Sequence, residues 1–276
     1  MTNSFSQYSI HPTAVVDSNA QLEAGVEVGP YCVIGKKVRI GKNTKLKSHV
    51  VIDGETIIGE NNEIFPFATI GLVPQDLKFK GENSQLIIGD NNKIREHVTI
   101  HLGTKDGGNL TRIGSNCLLM VGVHIAHDCK VGNSVILANN ATLAGHVEVG
   151  DDVVIGGLSA VHQFVRIGKG AMIGGMSGVE SDVIPFGMVM GDRASLAGLN
   201  LVGMKRHNFE RDEIHGLRNF FKKVFEENIE ENFHQRVSKI SQEFSQKTVK
   251  EVVNFIQQQT SRSFCQPKNL KKNIDA

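Results

Sequence analysis

The sequence predicts a mainly β chain wound as a three-sided parallel coil of hexapeptide repeats and closed by an α-helical segment. Three observations carry that prediction. An aliphatic residue recurs at every sixth position, glycine often follows it directly (Val28-Gly29, Ile34-Gly35, Ile40-Gly41), and beyond residue 211 the spacing becomes that of amphipathic helices. The ladder runs unbroken from Ile10 to Ile70 and reappears at Ile88, Ile94 and Ile100. It then resumes one residue out of phase, from Ile113 to Val179, and all 26 positions hold Ile, Leu or Val. Neither the 3.6-residue period of a helix nor the alternation of a strand produces one obligatory aliphatic in six. A repeat this short stacks into a solenoid, with one inward side chain per flat face.

Three hexads make an 18-residue triangular coil whose faces are short strands, about 4.8 Å from the coil above. Corners require tight or left-handed backbone, which the pairs Asn61-Asn62, Asn91-Asn92 and Asn139-Asn140 tolerate. Two hydrophilic segments, 72–86 and 102–110, interrupt the ladder and are read as loops that leave the stack to build a binding site. The expected division is a coil over 1–190 and a helical domain over 191–276. Ile214, Leu217, Phe220 and Val224 mark one helix, Phe233, Val237, Ile240 and Phe244 a second. Val252, Val253 and Ile256 mark a third, over Thr248 to Gln258. These helices are expected to cover the open end of the coil, whose last turn exposes unpaired edges.

Composition narrows the class of protein. With 276 residues, 21% charged and a formal net charge of +1, the chain has no global attraction for nucleic acid. No run of about 18 apolar residues is present to span a membrane, and the N-terminus lacks the basic and apolar regions of a secretory signal. A cytoplasmic location is expected. Cys32, Cys117, Cys129 and Cys265 show no paired spacing and are read as free buried thiols.

Stacking converts an 18-residue interval into vertical contact. His127 therefore lies under Gly145, and Gly145 under Gln163; beside them runs the column Asp128, His146, Phe164. With His124 and His162 nearby, an imidazole, a carboxylate and a glycine amide gather at one edge. That set suits general-base catalysis, the carboxylate fixing the imidazole and the Gly145 amide meeting a developing oxyanion. The competing reading is that solenoid corners simply carry polar residues; six histidines between 97 and 162 argue against it. A Zn²⁺ site would need three or four converging ligands, and the spacing does not match the zinc-binding hexapeptide enzymes, so no metal is expected. A further column, Asn139, Gly157, Gly175, strips side chains from a strip of surface, leaving a groove or merely satisfying turn geometry.

The runs Leu118 to Asn133 and Leu137 to His146, with Gln75-Asp76-Leu77-Lys78, Thr99-Ile100-His101 and Ala160 to Phe164, resemble the UDP-N-acetylglucosamine O-acyltransferases of lipid A biosynthesis. The resemblance covers nearly the whole chain. It implies a left-handed coil and a homotrimer with active sites between subunits. The reaction it implies moves a (3R)-hydroxyacyl group from acyl carrier protein to the glucosamine 3-hydroxyl of UDP-N-acetylglucosamine. No resident cofactor is implied, since acyl carrier protein and its phosphopantetheine arm are substrate. By the same resemblance His127 is the general base, Asp128 orients it and Gly145 supplies the oxyanion amide. Asp76, Lys78, His101, His124, His146, His162, Gln163, Asn200 and Arg206 line the substrate sites, and Gly157 and Gly175 the acyl groove, Gly175 setting chain length. Leu102, Val202 and His207 depart from the family pattern and bear on substrate contacts. An acidic carrier protein calls for a basic docking surface, for which Lys205, Arg206, Arg218, Lys222 and Lys223 are candidates. The alternatives are a sister hexapeptide N-acyl- or acetyltransferase, or a solenoid without catalysis.

Overall fold

The computed structural model describes residues 8–225 and 232–268. Successive short strands visit three sheets in turn, giving sheets of 11, 9 and 8 strands among the described residues. The first sheet begins at Tyr8–Ile10, the second at Val15–Val16 and the third at Gln21–Leu22. The chain forms the expected left-handed parallel β-helix with helices at its C-terminal end. Among the described residues no helix is long and apolar enough to cross a membrane.

Register explains both interruptions of the ladder. Ordinary neighbours are three hexads apart, as in Val28 opposite Leu46. Across the first loop Ile64 pairs with Ile94, five hexads on; the insertion amounts to whole hexads, so the phase survives. Across the second loop Ile94 pairs with Leu119, four hexads and one further position on; that odd position slips the phase. Each insertion is looped out, and the inward aliphatic keeps its place in the stack.

Every ladder residue is buried except Ile10, Val16 and Leu22, which belong to the first coil and have no coil stacked below them among the described residues. Two positions before most ladder residues lies a second inward column of smaller side chains, including Val26, Val38, Val50, Ala68, Ala141 and Val153. Cys32, Cys117 and Cys129 belong to this column, and their thiols donate to the carbonyls of Lys47, Gly132 and Ala144 at 2.8, 3.3 and 3.1 Å. All four cysteines are buried, as expected. Burial pushes the Cys129 thiol up to about 12, so it is inert as a nucleophile.

The first sheet ends in a hairpin that spans residue 190. Gly187–Met190 pairs antiparallel with Ser195–Leu199, so the first sheet continues to Leu199. A short helix that the periodicity did not reveal, α1 (Leu201–Arg206), follows, capped by the Asn200 side chain, which accepts from Gly203 N at 3.0 Å. The three expected helices are α2 (Arg211–Phe225), α3 (Phe233–Ser241) and α4 (Lys247–Gln257), packed through Leu217, Phe220, Val224, Val237, Val252 and Ile256. Phe244 lies just beyond α3, its ring edge-on to Phe220 at 5.7 Å.

Helices and coil are joined by a buried ion pair. Asp182 accepts from Arg166 Nε, from the Arg166 backbone N–H and from the Thr260 hydroxyl, each at 2.8 Å, and Arg166 Nη2 forms the ion pair at 2.8 Å. The guanidinium also donates to Gln258 at 3.0 Å and lies 4.5 Å from the Phe255 ring centre, which ties α4 to the last coil.

Candidate active site

The corner between the second and third sheets, residues 126–129, lies between the strands His124–Ile125 and Lys130–Val131. Asp128 adopts a left-handed backbone (φ 61°), a conformation that Asp tolerates. It interrupts the up-and-down alternation of a strand, so the consecutive side chains of His127 and Asp128 meet. His127 Nδ1–H donates to Asp128 Oδ2 at 2.7 Å, leaving Nε2 as an acceptor. Both residues are buried, His127 at 6% and Asp128 at 3% exposure.

The second loop supplies the rest of the carboxylate's partners. Thr104 N–H donates to Asp128 Oδ1 at 2.7 Å and Thr104 Oγ1–H to Oδ2 at 2.6 Å, while Asp128 N–H donates to Thr111 Oγ1 at 2.8 Å. Burial works against the charge on Asp128, but the His127 and Thr104 hydrogen bonds outweigh it and hold the carboxyl below its ordinary value. Gly107 closes over this group, where a Cβ would lie 1.9 Å from the carboxyl carbon. Thr104, Gly107 and Thr111 were not singled out from sequence; the glycine-rich composition of residues 102–110 was the only trace of the first two, and Thr111 lies in the strand that follows.

The predicted stacking is observed. His146 N–H donates to His127 O at 3.0 Å and Phe164 N–H to Gly145 O at 3.2 Å, which layers residues 127, 145 and 163 at one corner. A Cβ on Gly145 would lie 2.5 Å from His127 Cε1, so only glycine lets the imidazole lie across that backbone. The Gly145 N–H has no partner among the described residues. The His146 ring stacks on Phe164 at 4.4 Å and meets His127 edge-on at 5.1 Å, with Nε2 at 3.8 Å from Asp128 Oδ2.

His101 and His124, at the second-sheet side, meet edge-on at 5.0 Å, and Thr99 Oγ1 is 2.6 Å from His124 Nδ1. Burial, with smaller contributions from His124 and His127, pushes His101 down to about 4, and its buried Nδ1 has no partner among the described residues. Burial likewise lowers His124, with His127 adding to it. Burial lowers His146 against the opposing attraction of Asp128. These three imidazoles are therefore neutral at pH 7, and they surround the base without competing for its proton.

The loops roof the corner. Lys78 Nζ lies 3.5 Å from Asp106 Oδ2, and Asp76 Oδ1 accepts from Lys78 N–H at 3.0 Å. A cavity of about 460 Å³ lies between the loops, lined by Asp76, Lys78, Glu82, Thr104 and Asp106. His162 and Gln163 sit at the same corner, both exposed. Leu102, by contrast, is buried at the second sheet, packed over Gly54.

The remaining expected residues are elsewhere on the chain. His97 belongs to the corner between the first and second sheets, in a stack of rings with Phe67, His49 and Tyr31 at 5.0 to 5.1 Å. Gly157 and Gly175 also lie on that corner. Asn200, Val202, Arg206 and His207 line a cavity of about 500 Å³ on the first sheet, floored by Ile136, Val154, Met172 and Met188. In a three-sided coil the first-sheet face lies opposite the corner holding His127, so a single chain does not bring these groups to the base.

His127, Asp128 and His146 present ligand atoms within 4.8 Å of one another. A cation there would have to displace hydrogen bonds that already occupy both oxygens of Asp128.

A three-sided parallel coil bearing a buried His–Asp pair under an unused glycine amide is the scaffold of a hexapeptide-repeat transferase, and residues 110–145 match the bacterial transferase hexapeptide family. Residues 182–265 match the second domain of UDP-N-acetylglucosamine O-acyltransferase. The acyl-[acyl-carrier-protein]–UDP-N-acetylglucosamine O-acyltransferase of Rickettsia canadensis is 57% identical over 261 residues, which cover 94% of this chain and 98% of that protein. The enzyme of the same name from Azorhizobium caulinodans is 51% identical over 94% of this chain and 95% of its own. Among solved structures, LpxA from Acinetobacter baumannii superposes with a TM-score of 0.90 at 45% identity, covering 93% of this chain and 99% of that one. The chain belongs to the UDP-N-acetylglucosamine O-acyltransferase family and is an acyltransferase.

Proposed function

We propose that this acyltransferase moves a (3R)-hydroxyacyl group from the thioester of acyl carrier protein to the 3-hydroxyl of UDP-N-acetylglucosamine, the first step of lipid A biosynthesis, with His127 as general base. The observation that carries the mechanism is the buried His127–Asp128 pair, with Nε2 unencumbered beside the unused Gly145 amide. A sugar hydroxyl is a poor nucleophile until its proton leaves, whereas a thioester is already activated. His127 Nε2 takes the hydroxyl proton as the oxygen attacks the thioester carbonyl, and Asp128 stabilises the imidazolium. The carbonyl π electrons move to oxygen, where the Gly145 N–H donates to the oxyanion. Collapse restores the carbonyl and expels the phosphopantetheine sulfur, which takes the proton from His127. No covalent enzyme intermediate and no cofactor enters this sequence.

Asn200 and Arg206 reach such a site only from a second copy of the chain, which supports a homotrimer with sites between subunits. Lys205, Arg206, Arg218 and Lys222 are exposed near the junction of coil and helices, where an acidic carrier protein would dock. Lys223 is paired with Glu243 and contributes less. A cytoplasmic location belongs to the same reading, since the acyl donor is a cytoplasmic carrier.

The test is transfer by the purified protein from a panel of hydroxyacyl carrier proteins to UDP-N-acetylglucosamine, with and without EDTA. Ester formation at the 3-hydroxyl at an EDTA-insensitive rate is expected; amide formation or chelator-sensitive turnover would replace this mechanism.

Gly175 provides a second measurement. Its Cβ would meet only Gly157 O, at 3.4 Å, and Gly157 N, at 3.9 Å, and its backbone is not left-handed, so a side chain there projects outward without strain. Gly175→Met is expected to shift the ratio of kcat/KM toward shorter acyl chains by about tenfold or more. An unchanged chain-length profile would remove Gly157 and Gly175 from the acyl groove.

A further inference from the structure

The segment after α4 returns to the active corner. Asp182 N–H donates to Ser263 O at 2.7 Å and Cys265 N–H to Asp182 O at 2.8 Å, so this segment pairs alongside the last coil like an added strand. Buried Phe264 and Cys265 fasten it on one side, and the Thr260 hydroxyl, bonded to Asp182, on the other. Between these anchors Arg262 turns toward the corner below. Its Nη2 lies 2.7 Å from His162 Nδ1, and its Nε–H donates to Gln163 O at 3.0 Å.

A guanidinium has donors and no acceptor. His162 Nδ1 also stands 3.4 Å from Gln163 O, which can only accept, but the guanidinium contact at 2.7 Å is much the shorter and assigns Nδ1 as acceptor, which places the hydrogen of the neutral ring on Nε2. We propose that Arg262 is a positioning residue for the transfer reaction: it locks His162 in the Nε2–H tautomer as a hydrogen-bond donor to an oxygen of the sugar nucleotide, and it fixes the Gln163 backbone in the same stroke. The C-terminal segment thereby completes a substrate-binding corner far from it in sequence. Both contacts are charge-assisted, and the planar fork spans an imidazole nitrogen and a carbonyl at once, which a lysine ammonium does not reproduce. The inference rests on the reading that His162 lines the substrate site.

The experiment uses the full-length, ¹⁵N-histidine-labelled protein. Long-range ¹H–¹⁵N correlation, with His162 assigned by its disappearance in His162→Gln, should show Nδ1 unprotonated and Nε2 protonated. In Arg262→Met the two tautomers should mix, and KM for UDP-N-acetylglucosamine should rise about tenfold while kcat changes less than about threefold. Arg262→Lys, which retains the charge and one donor, should fall between the two, and it serves as the readout if the methionine variant does not fold. A protonated Nδ1 in the unsubstituted protein, or an unchanged tautomer and KM in Arg262→Met, overturns the proposal. A native KM in His162→Gln would remove His162 from the substrate site and take the kinetic half of the proposal with it, whatever the tautomer.

Discussion

Replacing His127 with alanine is expected to lower acyl transfer about a thousandfold or more, some ~4 kcal/mol of transition-state stabilisation, with the fold preserved. The variant removes the group placed to accept the hydroxyl proton, and His101, His124 and His146 sit in environments that depress their basicity. Ile125 and Val131, the inward residues on either side, are untouched, so the stack keeps its core. Asp128 loses one partner and retains both bonds from Thr104, a cost of about 1–3 kcal/mol. The corresponding measurement is kcat/KM alongside thermal unfolding and hydrodynamic size. Turnover within about tenfold of the parent, from a folded variant, would exclude His127 as the base.

Asp182→Ala is expected to carry the largest loss of stability, about 3–5 kcal/mol. Asp182 is fully buried and its carboxylate accepts three hydrogen bonds, two of them from Arg166, whose Nη2 adds an ion-pair contact. Its removal leaves the guanidinium enclosed among Gln258, the Phe255 carbonyl and the Phe255 ring, with no carboxylate to balance its charge. The double variant Arg166→Met/Asp182→Leu should recover most of the loss, since exchanging a buried pair for apolar groups is often neutral. Denaturant unfolding of the single and double variants measures both. A loss below about 1 kcal/mol for Asp182→Ala would mean that the pair does not hold the helices to the coil.

Much of the site was legible in the sequence because the fold makes sequence distance proportional to height. Once a coil is three hexads long, the placement of His127 below Gly145 and of Asp128 below His146 follows from subtraction, and the structure stacks them so. The inserted loops were legible as gaps in the ladder. One adds whole hexads and the other leaves an odd position over, which accounts for which of them shifted the phase. The contacts those loops make were not legible. Nothing in the composition of 102–110 says that Thr104 will bond Asp128 or that Gly107 must lie against its carboxylate, because a loop outside the stack has no fixed height. Arg262 was invisible for a similar reason: it follows the helices, where the coil's spacing rule no longer applies. The hairpin over 187–199 and the short helix α1 were missed because each is too brief for a period to declare itself.

What the sequence alone determined is the core: an inward aliphatic at every sixth position has one compact solution, a three-sided stack, and burying that ladder sets register, corners and the vertical order of the histidines. What only the tertiary structure decided is how the parts outside the ladder return to it. The roof over Asp128, the buried Arg166–Asp182 pair and the opposed placement of Asn200 and Arg206 all depend on non-repeating segments. Their positions are selected by hydrogen bonding and charge burial between residues distant in sequence, and no local period encodes such a choice.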